Sequence, residues 1–336
     1  MKITKVIITG AGGFLGSYIA RTLIAKKEYE VYSFSRSSYP KLMSYGVKER
    51  RGDLANYQDV VKALEGMDAV IHTASMVGMG GHYDDFYQTN VLGTENILKA
   101  MKELGIHKCV YTSTPSVVFG DESLCGVDER TPYPHKYLSH YAKTKAIAEK
   151  MILEANGVDL STVALRPHLI FGPGDLNLIP RVIEAHKKGR LKIIGDGENM
   201  VDVTYVQNAA DAHLLALEKL TNNHPIAGKA YFIGQGPIKL WDFTNIILTN
   251  AGLPKLSKKI SIRSAYYIGF FIEVFLKIFK INMANPPMTR FIALQLGKSH
   301  YFNHQNSEND LSFYPSISIE EGLSLLLVNN NGGGRS

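Results

Sequence analysis

Lys5-Val6-Ile7-Ile8-Thr9-Gly10-Ala11-Gly12-Gly13-Phe14-Leu15-Gly16 stands near the start of the chain, and its reading decides the fold. A β-branched apolar run of strand length passes into a glycine-rich turn, and an amphipathic stretch, Leu15–Lys26, follows. In Gly10-x-x-Gly13-x-x-Gly16 each glycine has a physical task. One makes the tight turn out of the strand, one lets backbone approach a pyrophosphate, and one lets helix pack closely on strand. The helix start then turns its free N–H groups toward the phosphates. Between a first strand and a helix, this pattern predicts a dinucleotide-binding βαβ unit.

Outward from that loop, short apolar runs alternate with amphipathic ones. Strands are expected at Glu30–Phe34, Ala69–His72, Lys108–Ser113 and Ser161–Leu165, and helices at Tyr57–Leu64, Phe86–Leu104 and Leu138–Asn156. The alternation predicts right-handed βαβ units and an α/β fold, a doubly wound parallel sheet of the Rossmann type with helices on both faces. After Pro167 the pattern changes. Helical segments near Ile179–Lys188 and Ala209–Leu220 flank the turn-rich Gly195-Asp196-Gly197-Glu198-Asn199. A strand follows near Tyr231–Ile233, and then mainly helices to the end. We expect 1–167 with 202–234 to form the dinucleotide domain, and 168–201 with 235–328 a smaller, mostly helical substrate-binding cap. The tail, 329–336, holds no core-forming residue and reads as a flexible terminus or an appended remnant.

The 336 residues carry 37 Lys+Arg against 31 Asp+Glu, a net charge of +6, with 45% hydrophobic and 20% charged residues. That balance excludes wholesale disorder and allows a large core. The basic residues are scattered, without the stripe or arm of a nucleic-acid binder, and no nucleic-acid partner is expected. Cys109 and Cys125 make no disulfide framework and fit a reducing compartment. No signal-peptide pattern follows Met1, so a cytoplasmic protein is expected. The most apolar stretch, Ala265–Ile281, is interrupted by Glu273, Lys277 and Lys280 and falls short of a membrane span. It reads as a buried or groove-lining helix, with a helix lying at a membrane surface as the alternative. His135, His140, His168, His186 and His213 show no ligand spacing with Cys or Glu, and no metal site is expected.

The glycine spacing resembles that of the extended short-chain dehydrogenase/reductase superfamily. Tyr141-Ala142-Lys143-Thr144-Lys145 matches its catalytic pair, and Asn90-Val91-Leu92-Gly93-Thr94-Glu95-Asn96 a frequent helix signature. The resemblance implies that the cofactor meets the first loop at Gly10, Gly12, Gly13, Phe14, Leu15 and Gly16. It places Asp53 and Leu54 at the adenine, and Thr73, Ala74 and Ser75 beside the cofactor after the fourth strand. It also assigns cofactor contacts to Asn90, Pro167 and His168. For Asp53 alone, a helix cap is the structural alternative.

The end of the second strand bears on NAD against NADP. An Asp or Glu there would hold both ribose hydroxyls and repel a 2′-phosphate. In Val31-Tyr32-Ser33-Phe34-Ser35-Arg36 that position falls on Ser35, and Arg36 follows. A hydroxyl with a guanidinium accepts a phosphate dianion, so NADP is expected, with NAD as the alternative.

Tyr141 and Lys145, four apart, share one helix face. A free phenol, with a pKa near ~10, is a poor base at neutral pH. A neighbouring ammonium stabilises the phenolate and brings proton exchange with an alcohol or carbonyl within range. The resemblance adds a role for Lys145 on the cofactor ribose and a third group, a hydroxyl after the fifth strand. Family matching puts it on Thr114, where serine is commoner, and leaves Ser113 and Ser116 as rivals.

Leu165-Arg166-Pro167-His168-Leu169-Ile170-Phe171-Gly172-Pro173-Gly174-Asp175 and Val203-Thr204-Tyr205-Val206-Gln207-Asn208 resemble the 3β-hydroxysteroid dehydrogenase branch. The resemblance implies interconversion of a ketone and a secondary alcohol on a long hydrophobic substrate. Reduction of a 2-alkyl-3-oxo acid to the 3-hydroxy acid leads, and a 3β-hydroxysteroid or 4-carboxysterol 3-dehydrogenase is the alternative. A nucleotide-sugar epimerase or dehydratase fits less well, because the C-terminal segment is apolar and Thr114-Pro115 lacks an Asp-Glu pair. A non-catalytic NADP sensor would commonly have lost Tyr141 or Lys145. Tyr266, Tyr267, Phe270, Phe271, Phe275 and Phe279 could line a channel for an alkyl chain. For a substrate carboxylate the candidate cations are Arg166, His168, Arg181 and Arg290. By family analogy a homodimer is expected through the helices carrying Asn90 and Tyr141.

Overall fold

A computed structural model describes residues 3–220, 224–283 and 285–330. Its centre is a seven-stranded sheet of β1 (Thr4–Thr9), β2 (Tyr29–Ser35), β3 (Lys48–Arg51), β4 (Ala69–His72), β5 (Lys108–Thr112), β7 (Ser161–Pro167) and β12 (Lys229–Ile233). The spatial order is β3-β2-β1-β4-β5-β7-β12, every pair parallel. Chain order reverses between β1 and β4, and the crevice at their carboxyl ends is where such sheets bind ligands. Val6, Ile7, Ile8, Val70, Ile71 and Val110 are wholly buried. Both faces are covered, so these strands read as unbroken apolar runs rather than alternating ones. Each such side chain contributes about 1.5–3 kcal/mol.

Helices α1 (Phe14–Ala25), α2 (Pro40–Ser44) and α8 (Val206–Lys219) cover one face. The other carries α3 (Tyr57–Leu64), α5 (Gly93–Leu104) and α6 (His140–Glu154). Where one helix was expected over Phe86–Leu104, α4 (Tyr83–Tyr87) passes through a turn of π-helix, Gln88–Leu92, into α5.

Beyond the carboxyl ends a second sheet, β13-β10-β15-β6, joins β6 (Leu124–Val127), β10 (Met200–Asp202), β13 (Pro237–Lys239) and β15 (His300–Phe302). Two short pairs complete the strands, β8 (Ile170–Phe171) with β11 (Thr204–Tyr205), and β9 (Ile193–Ile194) with β14 (Lys259–Ile260). The C-terminal part is therefore less purely helical than expected. Its helices are α7 (Leu178–Lys187), α9 (Leu240–Asn250), α10 (Ile262–Ile278), α11 (Arg290–Gly297), α12 (Gln305–Leu311) and α13 (Ile319–Asn330). Of the expected tail, 329 and 330 continue α13, and 331–336 lie outside the described residues.

The burial expected for Ala265–Ile281 is corrected. In α10 only Ala265 and Gly269 are buried, while Phe271, Phe275 and Ile278, with Phe279 just past its end, are each more than half exposed. Gly269 seats the helix: a Cβ there would stand 2.4 Å from the Thr289 carbonyl carbon. No helix among the described residues is long and apolar enough to cross a membrane.

Candidate active site and dinucleotide cradle

The loop after β1 closes on itself and on the end of β4. Gly10 has φ +73°, and an added Cβ would stand 2.8 Å from the Cα of Ala74. Its carbonyl accepts from the Gly13 N–H at 2.9 Å, and a Cβ at Gly16 would come within 2.3 Å of that oxygen. Side chains at either position would prise the loop from helix and strand. Gly13 caps α1 and has no side-chain acceptor, so the first-turn N–H groups, from Phe14 onward, face the crevice with the positive end of the helix dipole. Leu15 packs into the core, and the Phe14 ring meets Tyr18 edge-on at 5.9 Å. Thr73 Oγ1 donates to the Thr9 carbonyl at 2.7 Å and the Ala74 N–H to Thr9 Oγ1 at 3.2 Å, with partly buried Ser75 next. The Tyr39 ring lies against Gly12. A glycine-walled cradle with free N–H groups fits a dinucleotide pyrophosphate.

At the outer end, Ser35 Oγ donates to the Ser37 carbonyl at 2.7 Å, and Arg36 is exposed. Asp53 Oδ1 accepts from the Ala55 N–H at 3.0 Å, and its own N–H donates to Asp59 at 2.9 Å. The cap of α3 is Asn56, which leaves Asp53 as a turn-forming carboxylate and not a helix cap. The Leu54 carbonyl accepts from Asn96 at 2.8 Å.

Ser139 caps α6 and sets Tyr141 and Lys145 on one face. The Tyr141 hydroxyl is hydrogen-bonded to Thr114; burial pushes the phenol up to about 12, and the Thr114 bond opposes the shift. Thr114 Oγ1 also lies 3.3 Å from Ser116 Oγ, whereas buried Ser113 turns toward Glu149. Of the three rival hydroxyls, Thr114 is therefore the one beside Tyr141. Lys145 is buried, its Nζ donating to the Thr112 carbonyl at 2.5 Å and lying 4.0 Å from the Tyr111 ring centroid. Burial draws its ammonium down to about 7, opposed by the Glu149 carboxylate.

Behind this pair lies a buried polar chain. Thr94 Oγ1 donates to the Asn90 carbonyl at 2.7 Å and so accepts from His72 Nε2 at 3.0 Å. His72 Nδ1 then accepts from Thr9 Oγ1 at 2.7 Å, a single tautomer that burial and Lys145 keep neutral, with a pKa drawn down to about 3. Asn90 sits in the π turn. Its amide accepts from the Met76 N–H at 2.7 Å and donates to the Met76 carbonyl at 3.2 Å and to Thr144 at 3.0 Å. Its side chain thus braces the loop after β4 against α6. A π turn that re-aims one side chain at a site is a recurrent device.

The profile of the 3-beta hydroxysteroid dehydrogenase/isomerase family matches residues 7–262. The chain belongs to this family. Members are oxidoreductases of CH–OH groups that use NAD(P). The chain is 45% identical, over 95% of its length and 97% of the relative's, to the 2-alkyl-3-oxoalkanoate reductase of Stenotrophomonas maltophilia. It is 34% identical, over 96% of each chain, to the decarboxylating sterol-4-alpha-carboxylate 3-dehydrogenase of Schizosaccharomyces pombe. Among solved structures it shares the fold of the UDP-glucuronic acid 4-epimerase from Bacillus cereus in complex with NAD, with a TM-score of 0.75, 21% identity and coverage of 98% and 99% of the two chains.

Around Tyr141 and Lys145 the structure adds partners that sequence reading missed. Glu149, one turn after Lys145, is buried in a two-pronged ion pair with Arg166 (Nε–Oε2 2.9 Å, Nη2–Oε1 2.7 Å) and accepts from Tyr133 at 2.6 Å. Arg166 is thereby committed. Arg290 is likewise tied to Glu273 at 2.7 Å. His168 is buried with Nε2 2.6 Å from His300 Nδ1, and its N–H faces the Ile233 carbonyl at 3.4 Å. Pro167 closes β7. Of the four cations considered for a substrate carboxylate, only Arg181 has no ion pair or ring contact among the described residues. The four-apart spacing of Lys145 and Glu149 was the one available signal of this layer.

Proposed function

We propose that this protein reduces a long-chain 2-alkyl-3-oxo acid to the 3-hydroxy acid with NADPH. The observation that carries the substrate is the 45% identity over nearly all of both chains to a 2-alkyl-3-oxoalkanoate reductase. The cofactor choice rests on Ser35 and Arg36, where a carboxylate would exclude a 2′-phosphate. The glycine loop, Phe14 and Leu15 hold the pyrophosphate, Asp53 and Leu54 the adenine end, and Thr73, Ala74, Ser75, Pro167 and His168 line the path toward the nicotinamide. When bound, the nicotinamide supplies or receives the hydride.

The chain's residues do the rest. Thr114 and Tyr141 hold the ketone oxygen between two hydroxyls. With its phenol held up near 12, Tyr141 is protonated at neutral pH, the form that donates to the developing alkoxide. Lys145, close behind, stabilises the phenolate left by that transfer and binds the ribose. An apolar wall receives the alkyl chain: Phe119, Phe291 and Leu294, with Met79, Leu138 and Tyr266 against them. Leu138 stands just ahead of α6, so the wall begins at the catalytic helix. Beyond it, the exposed aromatics of α10, with Lys277 and Lys280, suit a helix resting on a lipid surface.

Steady-state oxidation of a long-chain 2-alkyl-3-hydroxy acid and of a 3β-hydroxy-4-carboxysterol, each with NADP and with NAD, tests this reading. Turnover of the alkyl acid with NADP well above every other pairing is the expected result. Faster turnover of the sterol transfers the protein to the second reading, which the 34% identity to a sterol-4-alpha-carboxylate 3-dehydrogenase supports. A preference for NAD overturns the cofactor assignment.

A further inference from the structure

We propose that Arg51 is a second cation for the 2′-phosphate of NADP(H), closing with Arg36 on the ribose. The inference deepens the NADP reading and rests on it. In the parallel pair β2–β3, Arg51 stands level with Ser35, so the two side chains leave the sheet on the same face. The Gly52 N–H donates to the Ser35 carbonyl at 3.2 Å and ties the two strand ends together. Arg51 Nη2 donates to the Arg36 carbonyl at 3.2 Å, which anchors the guanidinium on the very residue assigned to the phosphate.

The rest of that guanidinium is only loosely engaged, in a long ion pair with Glu49. Its nearest carboxylate, Glu49, lies 3.9 Å from Nε, beyond hydrogen-bond length, and the Arg51 side chain is 62% exposed. Arg50, on the opposite face, provides the contrast. Its Nη1 is consumed by the carbonyls of Lys62, Ala63 and Glu65 at the end of α3. Two adjacent arginines on an edge strand thus have different employments, one closing a helix end and the other facing the ligand side. A dianion presented to Ser35 would meet Arg36 from its own loop and Arg51 from the neighbouring strand. Planar forks of fixed geometry on two sides recognise a phosphate better than one.

Fluorescence titration of NADPH and NADH into the wild-type protein, Arg51→Gln and Arg36→Gln tests the assignment by binding alone. Arg51→Gln is expected to weaken NADPH roughly tenfold and to change NADH by less than about twofold. Competition by 2′,5′-ADP should weaken in the same proportion, and competition by 5′-ADP should not. Because Arg51 is exposed and lightly bonded, its variant should unfold at the wild-type temperature. Equal losses for NADPH and NADH, or no loss for either, overturn the role. If wild type prefers NADPH, Arg36→Gln erodes that preference and Arg51→Gln does not, Arg51 alone is misassigned. If wild type prefers NADH, the NADP reading itself falls and Arg51 with it.

Discussion

Tyr141→Phe is expected to lower turnover by roughly 10²–10⁴-fold while leaving the dissociation constant of the dinucleotide within a few-fold of wild type. The change deletes one oxygen and keeps the ring that packs at the start of α6. What is lost is the phenol hydrogen-bonded to Thr114, and with it the proton that the proposed reaction delivers to the substrate oxygen as the hydride arrives. The loop glycines, the first turn of α1 and the Lys145 ammonium are untouched, so binding survives. Single-turnover kinetics beside a binding titration separate the two effects. Turnover within tenfold of wild type would remove Tyr141 from the chemistry.

The second large effect is on stability. Arg166→Met is expected to destabilise the fold by about 3–5 kcal/mol, because it strands Glu149 as a buried charge. Both residues are almost wholly enclosed, and Tyr133 would remain as the clear hydrogen-bond donor to that carboxylate. Replacing the pair together, with Glu149→Leu, should recover much of the loss, since a packed apolar pair of similar volume is often no worse.

The pH dependence has a definite sign. In the wild-type protein Arg166 holds the Glu149 carboxyl below its usual range against the opposing effect of burial. The stabilisation is therefore full above the unfolded carboxylate value, about 4.3, and lost as pH falls through the lowered folded value. Without Arg166, burial raises the folded value, and stability declines as pH rises above the unfolded one. Urea unfolding at mildly acidic and neutral pH should show the Arg166→Met deficit widening toward neutrality. A variant that unfolds with the wild-type midpoint at both pH values contradicts the ion-pair account.

How far the molecule was legible in sequence depended on what each segment had to bury. Strands β1, β4, β5 and β7, largely buried on both faces, announced themselves as apolar runs between glycine turns. β3, Lys48-Glu49-Arg50-Arg51, did not, because it is an edge strand held by pairing with β2 and has no apolar pattern. The π turn was likewise hidden, since helical periodicity continues across Gln88–Leu92 while the backbone slips to bring Asn90 inward. The short strands of the second sheet were too brief for any period to register. For α10 composition misled: the segment read first as a buried or groove-lining helix, with a membrane-surface helix as the alternative, and much of its aromatic surface is exposed.

The same division holds at the site. Gly10, Gly13, Gly16, Tyr141 and Lys145 were readable because spacing along the chain fixes their geometry. Partnerships made by the fold were not. Arg166 looked available for a substrate until Glu149 came within 2.7 Å of it, and His168 until His300 did so at 2.6 Å. Family matching favoured Thr114 among the three hydroxyls, but that it lies beside Tyr141 while Ser113 turns toward Glu149 is set by side-chain directions after β5, which no residue count supplies.

Direct hydride transfer at one carbon underlies the proposed reaction, and an isotope follows it most closely. A long-chain 2-alkyl-3-hydroxy acid carrying deuterium at C3 would be oxidised by the wild-type protein with NADP, and the NADPH formed examined by mass spectrometry. NADPH one deuterium heavier, formed in step with the ketone, is the expected result. Ketone without label on the cofactor, or no ketone at all, would contradict it.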